Sequence, residues 1–115
     1  MSIENIQIAR SSGPLNGTPI LHLKGSLNIH TVFEFQSAIR AEDAPAVILD
    51  FSGVPYIDSA GLGALVGAHI AAQRGNRKMA FTGMNEQVKA LIEMTHVNQL
   101  FRVYATIHEA EAAVS

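Results

Sequence analysis

The run Ala46-Val47-Ile48-Leu49-Asp50-Phe51 constrains this chain more than any other segment. It is almost continuously apolar, with no alternation that would leave one face wet. A short run of that kind suits a central strand covered on both faces. Asp43-Ala44-Pro45 separates it from what precedes, because the residue before a proline is pushed out of the helical region. The loop Ser52-Gly53-Val54-Pro55-Tyr56-Ile57 follows it. A helix then begins near Asp58 or Ser59, with Leu62, Leu65, Val66 and Ile70 as its core stripe and Gly75-Asn76 at its close. A buried strand leading into a helix is the repeating unit of α/β folds.

The flanks extend that unit. A first strand is expected near Ile3 to Ala9, with Ile6 and Ile8 on one face. Ser11 to Gly17 is turn chemistry. Pro19 to Lys24 reads as a second strand, with Leu21 and Leu23 inward and His22 and Lys24 on a wetter face. These two strands form a hairpin with a long loop. Thr31-Val32-Phe33-Glu34 matches a capping box opening the first helix, whose core side is Val32, Phe35 and Ile39. A fourth strand is expected over Lys78 to Thr82. A third helix starts at Asn85-Glu86 and buries Val88, Leu91 and Ile92. Leu100 to Tyr104 reads as a last strand, and Thr106 to Glu109 as a second capping box opening a last helix. The order ββαβαβαβα implies right-handed crossovers and a largely parallel sheet of five strands. No repeat or linker interrupts residues 1–115, which read as one domain.

Composition narrows the function. With 48% hydrophobic and 16% charged residues, the chain can bury a core without disulfides or metals. A net charge of −2 offers no broad basic face for nucleic acid or an anionic membrane. The absence of cysteine excludes a cysteine nucleophile and Cys-ligated zinc. The start of the chain has no signal-peptide pattern, and the apolar stretch Ala60 to Ala72 is too short to span a bilayer. A cytosolic location is the expectation.

The chemistry concentrates at Asp58-Ser59-Ala60-Gly61-Leu62-Gly63, past the carboxyl end of the central strand. Partners of open α/β sheets meet such edges. Ser59 has two readings. As an N-cap it would contribute ~0.5–2 kcal/mol to helix stability, a role Asp58 could also fill. As a phosphoacceptor it would place the phosphoryl group where unpaired N–H groups and the helix dipole tolerate it. Gly61, Gly63 and Gly67 each cost ~1 kcal/mol relative to alanine in a helix. Either close helix–sheet packing or close approach of a partner's backbone would explain them. Other chemistry is weak. Gly61-Leu62-Gly63 lacks the Lys of a P-loop, and Ser59 is not in a Gly-x-Ser-x-Gly elbow. The five histidines show no ligand-pair spacing, and His69 reads as a part-buried structural residue. Asp50 and Asp58 bracket one loop, so a carboxylate pair is conceivable. Met79, Met84 and Met94 read as core filler.

The stretch from Val47 to Leu65, and above all Asp58-Ser59-Ala60-Gly61-Leu62-Gly63, resembles the signature of the STAS domain, named for sulphate transporters and anti-sigma factor antagonists. The Gly25-Ser26-Leu27-Asn28 turn and the tail from Leu100 to Ala110 fit the same pattern. The resemblance implies an α/β fold, a STAS-type β/α superhelix with four helices mainly on one face. It implies partner switching: binding to an anti-sigma factor that is a serine kinase, inactivation by phosphorylation of Ser59, and reset by a PP2C-type phosphatase. Asp58 would orient the turn or meet the kinase. Asn28, Ile57, Ala60, Gly61, Leu62 and Gly63 would lie in or near the docking surface. No catalytic residue, cofactor or metal is implied, and the chain would be a monomer or weak dimer. Ala60 stands where the family often has a second hydroxyl, leaving Ser59 as the sole acceptor there. Asn28 stands where it often has Asp. The alternatives are a STAS interaction module in a larger signalling or secretion-control complex without a sigma factor, an excised transporter domain, or an enzyme or nucleotide-binding protein using Ser59 with Asp50 or Asp58.

Overall fold

Alternation within Pro19–Lys24 sets the two sides of the sheet. In the computed structural model, which describes residues 5–96 and 101–114, this segment is β2. Leu21 and Leu23 face the larger core, while His22 is half-buried on the other face and Lys24 is exposed. β1 (Gln7–Ser12) pairs antiparallel with β2, and β3 (Ala46–Gly53) pairs parallel with its other edge. β4 (Lys78–Thr82) and β5 (Val103–Tyr104) continue the parallel ladder. The result is a five-stranded mixed sheet in sequence order, β1-β2-β3-β4-β5.

β3 is central and buried on both faces, as its composition requires. Val47, Leu49 and Phe51 join the main core with α1 (Val32–Ala41), α2 (Ser59–Arg74) and α3 (Glu86–Met94). Ile48 points the other way and joins Ile20 and Ala80 beneath Ala110 and Val114 of α4 (Ile107–Val114). Phe81 links the aromatic part of the main core, with ring centroids 6.0 Å from Phe51 and 5.0 Å from Phe101.

Several expectations shift. β1 begins and ends later than expected, with Ile3 outside the described residues. The Ser12–Pro19 register draws Ser11 and Ser12 into the ladder, and the loop closes on a Gly13 N–H to Thr18 O bond of 2.8 Å. Thr31 does not form a capping box. Its side chain is buried and its hydroxyl is spent on the preceding turn, donating to Ser26 O and accepting from Asn28 N–H. Ile70 is 40% exposed, because it lies five residues beyond Leu65 and turns away from the Leu65, Ala68, His69 and Ala72 stripe. Leu91 is only half-buried, and Met94, the last residue of α3, is 76% exposed beyond the Val88 and Ile92 contacts. Met79 and Met84 do fill the core. Leu100 lies outside the described residues, and β5 is confined to two.

Candidate functional site

The mouth of α2 is held by the turn that follows β2. Leu27 makes a parallel bridge to Ile57, donating its N–H to Tyr56 O at 3.1 Å and accepting from Asp58 N–H at 3.2 Å. Within the turn, Asn28 Oδ1 accepts the His30 N–H at 2.9 Å. Two segments some thirty residues apart therefore form one platform.

Asp58, not Ser59, caps the helix. Its backbone is extended, Oδ1 accepts the Gly61 N–H at 2.8 Å, and Oδ2 accepts the Ile29 N–H at 3.2 Å. One carboxylate thus closes the helix and pins the β2 turn against it. Ser59 becomes the first helical residue. It is exposed, and its hydroxyl has no hydrogen-bond partner among the described residues. The cap reading of Ser59 falls because a carboxylate one residue earlier already occupies the first-turn N–H.

The nominated residues converge on this platform at different depths. Ser59 and Gly63 are exposed, and Asp58 and Ala60 are half-buried. Asn28, Ile57, Gly61 and Leu62 are buried, so they form the layer beneath the surface. Gly61 is required by packing. A Cβ there would overlap the Leu27 carbonyl oxygen and come within 2.9 Å of the carbonyl carbon. Gly63 and Gly67 are different: a Cβ on either meets nothing within 4 Å. They open onto a groove between α1 and α2 floored by Phe35, Ile39, Ala64 and Ala68.

Sequence reasoning missed the apolar part of this surface. Ile29, Phe33 and Tyr56 are 65%, 74% and 53% exposed on the three segments that meet here. Phe33 carried a signal, since it falls off the Val32, Phe35 and Ile39 stripe. Ile29 and Tyr56 carried none, because their exposure depends on the Leu27–Ile57 bridge.

Asp50 and Asp58 are committed to separate partners. Asp50 Oδ1 accepts the Ser52 N–H, and Oδ2 bonds His22 Nδ1 at 2.7 Å. His22 Nε2 in turn bonds Ser11 Oγ at 2.7 Å, so a polar chain crosses β3, β2 and β1. Burial would raise the Asp50 pKa, but the Ser52 N–H and His22 outweigh it and leave it lowered. Another engaged carboxylate is Glu111 of α4. It is fully buried and accepts N–H bonds from Leu15, Asn16 and Thr18 at 2.8, 3.0 and 3.2 Å. Burial opposes its charge, but those N–H groups win and lower its pKa. No cluster of three potential metal ligands occurs among the described residues, and no helix there is long and apolar enough to cross a membrane.

Comparison with known proteins agrees with this architecture. A curated relative, the anti-sigma-B factor antagonist of Staphylococcus epidermidis, is 29% identical over 82 residues, covering 69% of this chain and 76% of that one. The crystal structure of an anti-sigma factor antagonist from Mycobacterium paratuberculosis superposes with a TM-score of 0.82 at 21% identity, covering 95% of this chain and 93% of that one. The Bacillus cell fate determinant SpoIIAA in its phosphorylated form superposes with a TM-score of 0.68 at 18% identity, over 96% of this chain and 99% of that one. The STAS domain model matches residues 6–110. With that match and the sheet order described above, the chain belongs to the STAS domain family.

Proposed function

We propose that this chain is an anti-sigma factor antagonist that docks a serine-kinase anti-sigma factor and is switched off by phosphorylation of Ser59. The observation that carries the reading is the exposed Ser59 hydroxyl on the first turn of α2, without a hydrogen bond among the described residues, close to the exposed Ile29 and Tyr56, with Phe33 exposed on α1. Because Asp58 supplies the cap, the Ser59 hydroxyl is free to react without unfastening the helix. The relatives' names support the antagonist role.

The switch needs no large rearrangement. Phosphorylation adds about −1.5 to −2 charge at pH 7. The helix N-terminus moderates that charge within the free protein. A partner closing over Ile29, Phe33 and Tyr56 would have to desolvate it against an apolar surface. A penalty of about 3–4 kcal/mol lowers affinity by two to three decades. The protein would do this in the cytosol as a non-catalytic component, with a PP2C-type phosphatase restoring Ser59.

The test compares wild type, Ser59→Ala and Ser59→Asp as baits for the host's proteins. A retained kinase is then incubated with ATP and wild-type chain. The expected result is a kinase held by wild type and Ser59→Ala, lost from Ser59→Asp, that adds one phosphoryl group at Ser59. Equal retention by all three forms overturns the switch and favours a passive STAS module.

A further inference from the structure

At the far end of α2 from Ser59, a second site is built from charge. A cavity of about 130 Å³ lies between α2, the start of β4 and Arg102 ahead of β5. Arg77, Lys78 and Arg102 line it with Gln73 and His69, and no Asp or Glu is among the described residues that do. Three cations around one small cavity are conspicuous in a chain whose net charge is −2.

His69 is the second and independent observation. It is only 8% exposed, and neither ring nitrogen has a hydrogen-bond partner among the described residues. Its ring stands edge-on to Phe101 at a centroid distance of 5.7 Å, which accounts for its carbon face but satisfies neither nitrogen. Buried polar atoms are ordinarily paired, and an orphan calls for a missing partner. Arg77 is already anchored: its Nε donates to Ala44 O at 2.9 Å and its Nη2 to Glu42 O. A guanidinium has five N–H groups, so anchoring leaves donors over while fixing their position. Lys78 and Arg102 are exposed and can swing onto a ligand.

We infer that this cavity binds a small tetrahedral oxyanion of the phosphate or sulfate class. Arg77 would supply a fixed positive charge, Lys78 and Arg102 would close over the anion, and His69, whose ring nitrogens are both buried before binding, would turn one N–H onto it. A volume of about 130 Å³ suits a small ion, since pockets for drug-sized ligands run to ~300–1,000 Å³. Burial and then the Arg102 charge lower the His69 pKa, and a bound anion would offset both effects. The site is separate from Ser59, which lies at the opposite end of the same helix.

The experiment is an NMR titration of the isotope-labelled chain with inorganic phosphate, with sulfate and chloride at matched ionic strength as separate arms. The expected result is a saturable shift of the His69 imidazole and of the Arg77, Lys78 and Arg102 amides with phosphate or sulfate. Chloride should give neither. The double variant Lys78→Gln/Arg102→Gln changes only exposed side chains, and it should weaken binding at least tenfold while leaving the remaining spectrum unchanged. Non-saturating shifts, equal shifts with chloride, or unaltered affinity in the double variant would overturn the assignment.

Discussion

Replacing Gly61 and Gly63 by alanine, one at a time, should move stability in opposite directions although the two lie two residues apart in one helix. At Gly61 the new methyl group would overlap the Leu27 carbonyl, a backbone group already bonded to Asp58 N–H and unable to rotate away. Overpacking of this kind costs ~1–3 kcal/mol, and a backbone obstacle places it near the upper end. The gain in helix propensity returns about 1 kcal/mol. The net expectation is a loss of about 2 kcal/mol, or roughly 8 °C in Tm for a chain of this size. At Gly63 a Cβ meets nothing within 4 Å, so only the propensity gain remains. That gain is about 0.4–1 kcal/mol, chiefly through the unfolded chain. Urea unfolding with a fixed m-value measures both. If Gly61→Ala is neutral, or Gly63→Ala destabilises, the reading that one glycine serves packing and the other an open surface is refuted. The same Gly63→Ala protein tests the docking surface: weaker kinase binding despite higher stability would mean that the partner approaches the helix backbone there.

Asp58→Ala should remove the cap of α2 and release the Ile29 N–H, costing about 1–2 kcal/mol and raising amide exchange at both Gly61 and Ile29; protection lost at Gly61 alone would show that Asp58 does not hold the turn. Glu111→Gln should loosen the Gly13–Thr18 loop, read as faster amide exchange at Leu15, Asn16 and Thr18, with α4 still formed. The pH dependence has a definite sign. The folded-state pKa values of Glu111 and Asp50 are lowered, so the stability they contribute is present above the unfolded carboxylate range near ~4 and is lost as pH falls through the folded values. Acid unfolding that is unchanged in both Glu111→Gln and Asp50→Asn would contradict this.

Local chemistry made much of the fold legible. The alternation in Pro19–Lys24 and the compact apolar run of Lys78–Thr82 each place a strand whose ends match the structure. Asn85 ahead of Glu86 marks the cap of α3, where its Oδ1 accepts the Val88 N–H at 2.8 Å. Thr106 likewise accepts the Glu109 N–H at 3.1 Å ahead of α4. Thr31 fits the same local rule and breaks it, since the Ser26–Asn28 turn competes for its hydroxyl and wins. Capping rules hold where nothing else bids for the side chain.

Read alone, the sequence determined the order of elements, the burial of β3 on both faces and the position of Ser59 where a strand edge meets a helix start. These follow from periodicity and turn chemistry, which act over a few residues. The tertiary structure decided that Asp58 is the cap, that Gly61 rather than Gly63 is confined, and that Ile29, Phe33 and Tyr56 remain uncovered. It also set Glu111 beneath a loop more than ninety residues away and left the His69 ring nitrogens without a hydrogen bond among the described residues, in a cavity lined by three cations. Each of these depends on segments distant in the chain being brought within bonding distance, and no local pattern encodes which partner a side chain will find there.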